Sequence, residues 1–251
     1  MMKRIGRPTD SQAFEIWNKV LDAALKIPGA QVDRASFLRG ELSQHVSEEK
    51  LRSAIDSTPA KAGISKKIVR QIAHATIKRH LLRASANSFV AGLPGGWWLL
   101  GAVPLDLAQF YLNAIQLAQK LAYTYGWPQI ADVDVIDEET KLQITIFLAV
   151  MMGAGSAVKL LGTLAERLSE EVGKRLPRQA LTKYGLYNLS KNVAKWLGFR
   201  LTKDALGRGA SKIVPIIGGF ISAGVTFFTL RQMARRLQRH LLRLPLARGS
   251  A

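Results

Sequence analysis

The stretch LAQFYLNAIQLAQKLAY, residues 107–123, decides the fold of this chain. Its polar residues recur at spacings of four, three and four, which places them on one stripe of an α-helix: Gln109, Asn113, Gln116 and Lys120. Most other positions are apolar or small, so the helix has to be buried on most of its sides. The polar stripe either lines a small cavity or, as we expect, forms hydrogen bonds to neighbouring helices.

A carboxylate opens this helix in the sequence Pro104-Leu105-Asp106. An acid in such apolar surroundings must be capped, paired or protonated. We expect Asp106 to accept backbone N–H bonds in the first helical turn. The alternative is a pocket or intramembrane acid that binds a cation or carries a proton.

Three apolar segments without charge lie on either side of this helix: 84–105, 142–158 and 213–230. Pro94 and Pro104 interrupt the first, and basic residues flank both ends of the last, which disfavours straight membrane spans. The middle segment, with acids before it and bases after it, is the most span-like. No strand alternation is visible, so we predict an all-α multi-helix bundle with long, Gly/Pro-interrupted apolar central helices.

The N-terminal part of the chain predicts shorter amphipathic helices. Residues 11–27 have helical apolar spacing with Glu15–Lys19 and Asp22–Lys26 as ion pairs one turn apart. Three further helices are expected to begin at N-caps Asp33, Ser47 and Ser65. In the helix after Ser65 one stripe is expected to be buried: Ile68, Ile72, Ala75 and Thr76. We therefore divide the chain into an amphipathic segment 1–63, a helical domain 64–244 and a flexible tail 245–251.

The composition favours anionic partners. Lys and Arg number 36 and Asp and Glu 18, a net charge of +18. Cysteine is absent, which excludes disulfides and thiolate chemistry. No apolar signal core follows the basic N-terminus, so we expect a cytoplasmic protein that is peripheral to, or embedded in, the inner face of the cell membrane.

The C-terminal helix is the expected contact with an anionic membrane. Five arginines lie along it, with leucines and a methionine between them: Arg231, Arg235, Arg236, Arg239 and Arg243. Such a basic amphipathic pattern is typical of attachment to acidic lipids. The alternative is a solvated edge whose leucines pack on the bundle.

Motifs for catalysis or cofactor binding do not stand out in the sequence. The four histidines lack the spacing of a helical zinc pair, and Pro94-Gly95-Gly96 lacks the Lys-Ser/Thr of a phosphate loop. No pairing of a nucleophile with a base can be recognised either. We therefore expect neither a metal nor another cofactor, and lean against an enzyme.

Four short motifs share their order and spacing with a known family: Pro94-Gly95-Gly96, Pro104-x-Asp106, Tyr125-Gly126 and Lys212-x-x-Pro215-x-x-Gly218-Gly219. Over roughly residues 64–237 the chain thereby resembles the EcsC family of bacterial proteins. The resemblance implies a helical, membrane-associated protein of unestablished biochemical role, named for a product encoded beside an ABC-transporter operon. Ser222 stands where we expect an Asn, which puts any polar contact of that Asn in doubt.

The sequence thus favours a non-enzymatic membrane-associated accessory protein, linked to a transporter or to envelope lipids. Two other classes stay open. One is a lipid-binding carrier or enzyme with an apolar cavity. The other is a non-specific nucleic-acid-binding protein, which the net charge allows but for which no recognition motif is present.

Overall fold

The computed structural model describes residues 9–90, 105–130, 136–170, 194, 195, 197 and 223–248. Within these ranges the chain is all-helical: α1 (Asp10–Leu25), α2 (Arg34–Leu42), α3 (Glu48–Asp56), α4 (Lys66–Val90), α5 (Leu105–Thr124), α6 (Glu138–Met152), α7 (Gly155–Glu170) and α8 (Ala223–Leu241), followed by a 3₁₀ turn (Pro245–Ala247). These described ranges contain no strand, which confirms the predicted all-α class.

Helix α5 lies at the centre of the molecule. It contacts α1, α2, α4, α6 and α8. Along it Ile115, Leu117 and Leu121 are fully buried, as the apolar positions of the sequence require. The larger of the two hydrophobic clusters is therefore organised around the helix whose sequence demands burial on most sides, while α2, α3 and α4 share a smaller one.

Helix α1 packs on α5 through aromatic side chains. The rings of Trp17 and Tyr111 meet edge to face at 5.5 Å, and the Trp17 indole N–H donates to Thr145 Oγ1 of α6 at 3.0 Å. The predicted Glu15–Lys19 ion pair is present at 2.6 Å. Asp22, however, pairs with Lys141 of α6 at 2.9 Å and not with Lys26. The buried residues of α1 and α5 belong to the same hydrophobic cluster.

The predicted N-caps are confirmed. Asp33 accepts from the Ser36 amide at 2.7 Å, and the Ser47 and Ser65 hydroxyl groups cap α3 and α4. The buried stripe of α4 differs from the prediction, because Ala75 is exposed and the stripe runs instead along Ile72, Ala73, Thr76, Ile77, His80 and Leu81. The helix is therefore rotated so that a histidine faces inward.

The charge-free segment 142–158, the most span-like of the three in sequence, is divided between two helices. It folds as the end of α6 and the start of α7, separated at Gly153, whose φ of +93° ends α6 in a left-handed cap. With 15 residues, α6 is roughly 22 Å long, short of a hydrocarbon layer of about 30 Å. No described helix combines the length and apolar composition that crossing a bilayer requires.

The C-terminal residues close the bundle. Helix α8 packs on α4, α6 and α5, and the 3₁₀ turn after it packs on α7. Residues 245–247, which the sequence assigns to a flexible tail, bury Leu246 to 3% exposure. The first turn of α4 and the residues that follow α8 line one cleft, so these two helices run antiparallel.

Candidate functional site

Helices α4 and α8 carry positive charge without any negative charge. The sequence from Lys66 to Val90 and from Ala223 to Arg248 contains no Asp or Glu, but twelve cations: Lys66, Lys67, Arg70, Lys78, Arg79, Arg83, Arg231, Arg235, Arg236, Arg239, Arg243 and Arg248. Most of them are exposed. Because α4 and α8 pack on each other, their exposed sides adjoin and form one surface, which we call the basic face.

Among the described residues, one ion pair involves a cation of this basic face. It joins Glu41 of α2 to Arg79. The other ion pairs of the described residues lie elsewhere, on α1, α3 and α6. The basic face is therefore left with a strong positive potential, which attracts anions.

The basic face also carries exposed apolar side chains. Among the described residues, Leu82 of α4 and Phe228 of α8 are the large hydrophobic side chains that stand in solvent, with 56% and 67% exposure. Leu82 lies 16 residues after Lys66 and Phe228 lies 14 residues before Leu242. Both are therefore roughly 20 Å from the cleft end of the antiparallel pair. Exposed aromatic and basic side chains together are typical of surfaces that meet a membrane interface.

The five arginines predicted to contact a membrane do not share one role. Arg235, Arg239 and Arg243 are exposed and Arg231 is half-buried. Arg236 instead turns inward, with Nη1 3.5 Å from the Met151 carbonyl oxygen. That position places its charge at the negative end of α6, where it has a structural function.

The leucines and the methionine that lie between the arginines of α8 are buried. Leu230, Met233, Leu237 and Leu241 have exposures of 5% or less and belong to the core. On its apolar side this helix therefore follows the second alternative given by the sequence, in which its leucines pack on the bundle. Any membrane contact of α8 has to use its outer side.

The polar stripe of α5 meets neighbouring backbone and side chains. Gln116 donates to the Gly29 carbonyl oxygen at 2.6 Å, across to the loop after α1. The Asn113 amide donates to the Gln109 carbonyl oxygen within the same helix at 3.0 Å. Gln119, which lies beside the predicted stripe, is fully buried and clamps the same loop by accepting from the Val32 amide at 3.1 Å. Its role could not be recognised because a lone glutamine carries no pattern.

Lys120, the last residue of the stripe, forms a buried contact with His80 of α4. Their Nζ and Nε2 atoms are 3.1 Å apart, and His80 is only 3% exposed. Burial, followed by the charges of Lys120, Arg83 and Arg79, lowers the pKa of His80 to about 3. Burial also lowers the pKa of Lys120. The histidine is therefore neutral and accepts from the lysine.

The Tyr125-Gly126 motif joins the end of α5 to the C-terminal residues. The Tyr125 hydroxyl accepts from Gln238 of α8 at 3.0 Å. Gly126 has a φ of +91°, and a Cβ there would lie 2.7 Å from the Leu246 carbonyl oxygen. Only glycine allows both this backbone conformation and this close approach.

The remaining predicted residues are only partly placed. Asp106 lies in the first turn of α5, as expected, but its side chain lies outside what the structure describes. Other motif residues fall entirely outside the described ranges: Pro94, Gly95, Gly96, Pro104, Lys212, Pro215, Gly218 and Gly219.

Comparison of this chain with protein-family models, with curated proteins and with solved structures gives no significant match.

Proposed function

We propose that this protein is a non-enzymatic peripheral membrane protein that binds anionic lipids at the inner face of the cell membrane through its basic face. The observation that carries the proposal is the coincidence of two properties on α4 and α8. Helix α4 and the chain from Ala223 to Arg248 hold twelve cations and no acid, and they also hold the exposed Leu82 and Phe228. Cations near an acidic bilayer contribute about 1 kcal/mol each, and apolar side chains add to the contact.

The burial of the apolar sides of α4 and α8 supports binding at the membrane surface and not insertion into the bilayer. The apolar sides of α4 and α8 are used in the core, so the outer sides remain for binding. Attachment is then electrostatic, with Leu82 and Phe228 reaching the headgroup region. Such binding weakens as salt screens the charges.

The resemblance to the EcsC family gives this proposal a biological setting. We propose that the protein is an EcsC-like accessory protein, with the Gly/Pro-interrupted apolar segments extending the bundle, and that its partners are envelope lipids or a membrane protein such as an ABC transporter. The Tyr125-Gly126 contacts support a structural purpose for that motif. A basic protein held on the membrane would be concentrated beside such a transporter.

Vesicle flotation tests the proposal. Vesicles with about 30% phosphatidylglycerol should carry the protein, whereas phosphatidylcholine vesicles should not, because only the former have a negative surface. A variant with Lys78, Arg231, Arg235 and Arg239 replaced by Gln should bind on the order of a thousandfold more weakly.

The matched control removes the same charge from α1, its C-terminal end and α3. Replacing Lys19, Lys26, Lys50 and Arg52 by Gln should change vesicle binding only a few-fold, since none of these residues lies on α4 or α8. Equal losses in both variants would show a dependence on net charge alone and would contradict the proposal. Tighter binding to duplex DNA than to the vesicles at physiological salt would assign the basic face to nucleic acid instead.

A further inference from the structure

A cleft lies at the end of the basic face where α4 begins and α8 ends. Its volume is about 800 Å³, within the range of small-molecule sites. The loop after α3, the first turn of α4, the end of α5 and the residues after α8 form its walls. It is therefore built from four separate parts of the chain.

Four cations line this cleft without a balancing acid. They are Lys66 and Arg70 of α4 and Arg243 and Arg248 after α8. None of the described residues that line the cleft is acidic, and no described carboxylate forms an ion pair with any of the four. Like charges that converge on one cleft repel each other, and an anion placed among them removes that repulsion.

The rest of the lining is largely apolar. Ile64 and Leu246 are nearly buried at its floor, and Val69 and Leu242 lie on its walls. A free inorganic anion would leave these side chains without a partner. A ligand with a charged group and an adjoining apolar body satisfies both parts of the lining.

The walls are fixed by hydrogen bonds and close packing. The Leu246 carbonyl oxygen sits against Gly126, and Gln238 donates to the Tyr125 hydroxyl. Next to Gly126, the Thr58 hydroxyl accepts from the Lys61 amide at 3.1 Å, and Ser65 caps α4. The cleft therefore exists before a ligand arrives, which lowers the entropic cost of binding.

From this geometry we propose that the cleft is a binding site for the phosphate group of an anionic phospholipid, with the neighbouring glycerol and acyl carbons on the apolar floor. Lys66, Arg70, Arg243 and Arg248 bind the phosphate oxygens. The inference rests on the proposed membrane attachment and adds to it one defined lipid site, distinct from the diffuse attraction of the basic face.

Calorimetric titration of the full chain with soluble dihexanoyl phosphatidic acid, below its micelle concentration, tests the site. One lipid should bind per chain, and dihexanoyl phosphatidylcholine should bind far more weakly because its choline cation is repelled. Replacing Lys66 and Arg243 by Gln should weaken binding roughly 30-fold. The matched pair, Lys78→Gln with Arg235→Gln on the same two helices, removes equal charge outside the cleft and should leave affinity within about twofold.

Each outcome separates the cleft from the basic face. Equal losses in the two pairs would overturn the site while leaving vesicle attachment intact. Inorganic phosphate binding as tightly as the lipid would overturn the lipid assignment in favour of free phosphate. Vesicles that fail to bind, together with a soluble lipid that binds only when the cleft pair is intact, would retain the site and overturn membrane attachment. Circular dichroism melting of both pairs checks that neither loss comes from unfolding.

Discussion

Two regions of the molecule that both pack on α5 differ in their charge. On the balanced side, residues 9–63 carry seven Lys and Arg against eight Asp and Glu, and ion pairs and caps use many of them. On the basic side, α4 and the chain from Ala223 to Arg248 carry twelve cations and no acid. The first arrangement is what folding alone requires, whereas the second has a cost in repulsion that a bound anion relieves.

Arg34 shows how the balanced side uses a single buried cation. The residue is 7% exposed, and its guanidinium donates to the backbone carbonyl oxygens of Trp127, Ala54, Ile55 and Ser57. These acceptors lie at the end of α3 and after α5, where helix carbonyls lack partners. The guanidinium therefore holds these two chain segments together, and its N–H groups are already used in hydrogen bonds within the protein.

Replacing Arg34 by Met should cause the largest change in stability. Four carbonyl oxygens would lose their donors, so the free energy of unfolding should fall by about 3–5 kcal/mol in urea titrations. Arg235→Met, on the exposed outer side of α8, should change it by no more than about 0.5 kcal/mol. Similar losses in the two variants would show that the cations of the two sides are not as different as their contacts indicate.

His80 of α4 is buried against Lys120 of α5. Its folded pKa of about 3 lies below the unfolded value of 6.5, so between these values the unfolded chain binds a proton that the folded chain excludes. Stability from this group is thus complete above pH 6.5 and falls as the pH drops, by about 3 kcal/mol at pH 4. The pH dependence of the urea-unfolding free energy should therefore be weaker in His80→Gln than in the natural protein.

The control for this effect is His74→Gln, an exposed histidine on the same helix. Its curve should run parallel to that of the natural protein between pH 7 and pH 4. Lys120→Met removes the nearest cation and should make the decline of stability smaller. A His80→Gln curve parallel to the natural one would show that His80 already takes up its proton in the folded state.

Local features of the fold could be predicted from the sequence. The caps Asp33, Ser47 and Ser65 and the burial of α5 follow from spacing and from hydrogen-bonding chemistry within one turn. The orientation of α4 could not be predicted, since Ala75 and Ala73 are equally apolar and only packing on α5 and α8 selects Ala73. The span-like character of segment 142–158 was misleading because a fully buried helix and a membrane helix share their composition.

The candidate site depends on contacts between distant parts of the chain. The five arginines of the C-terminal region were recognised, but their partner α4 was not, because pairing across more than 130 residues leaves no local signal. The same reason hid the cleft, whose cations Lys66 and Arg248 are brought together by Gly126 and Leu246. The absence of acids from both helices can be read directly from the sequence, and it is the signal that could have paired them.

Replacing Phe228, an exposed residue of the basic face, should have the smallest effect of these substitutions. A side chain that is 67% exposed contributes little to folding, so Phe228→Ala should alter the unfolding free energy by less than about 0.5 kcal/mol. If the basic face meets a bilayer, the same change should weaken binding to phosphatidylglycerol vesicles about fivefold, since part of the ring leaves the headgroup region. Gln232→Ala, about one turn along the same exposed side, should change neither quantity. Unaltered vesicle binding in Phe228→Ala would restrict the contact to the cations, and a large loss of stability would show that the ring packs against the protein.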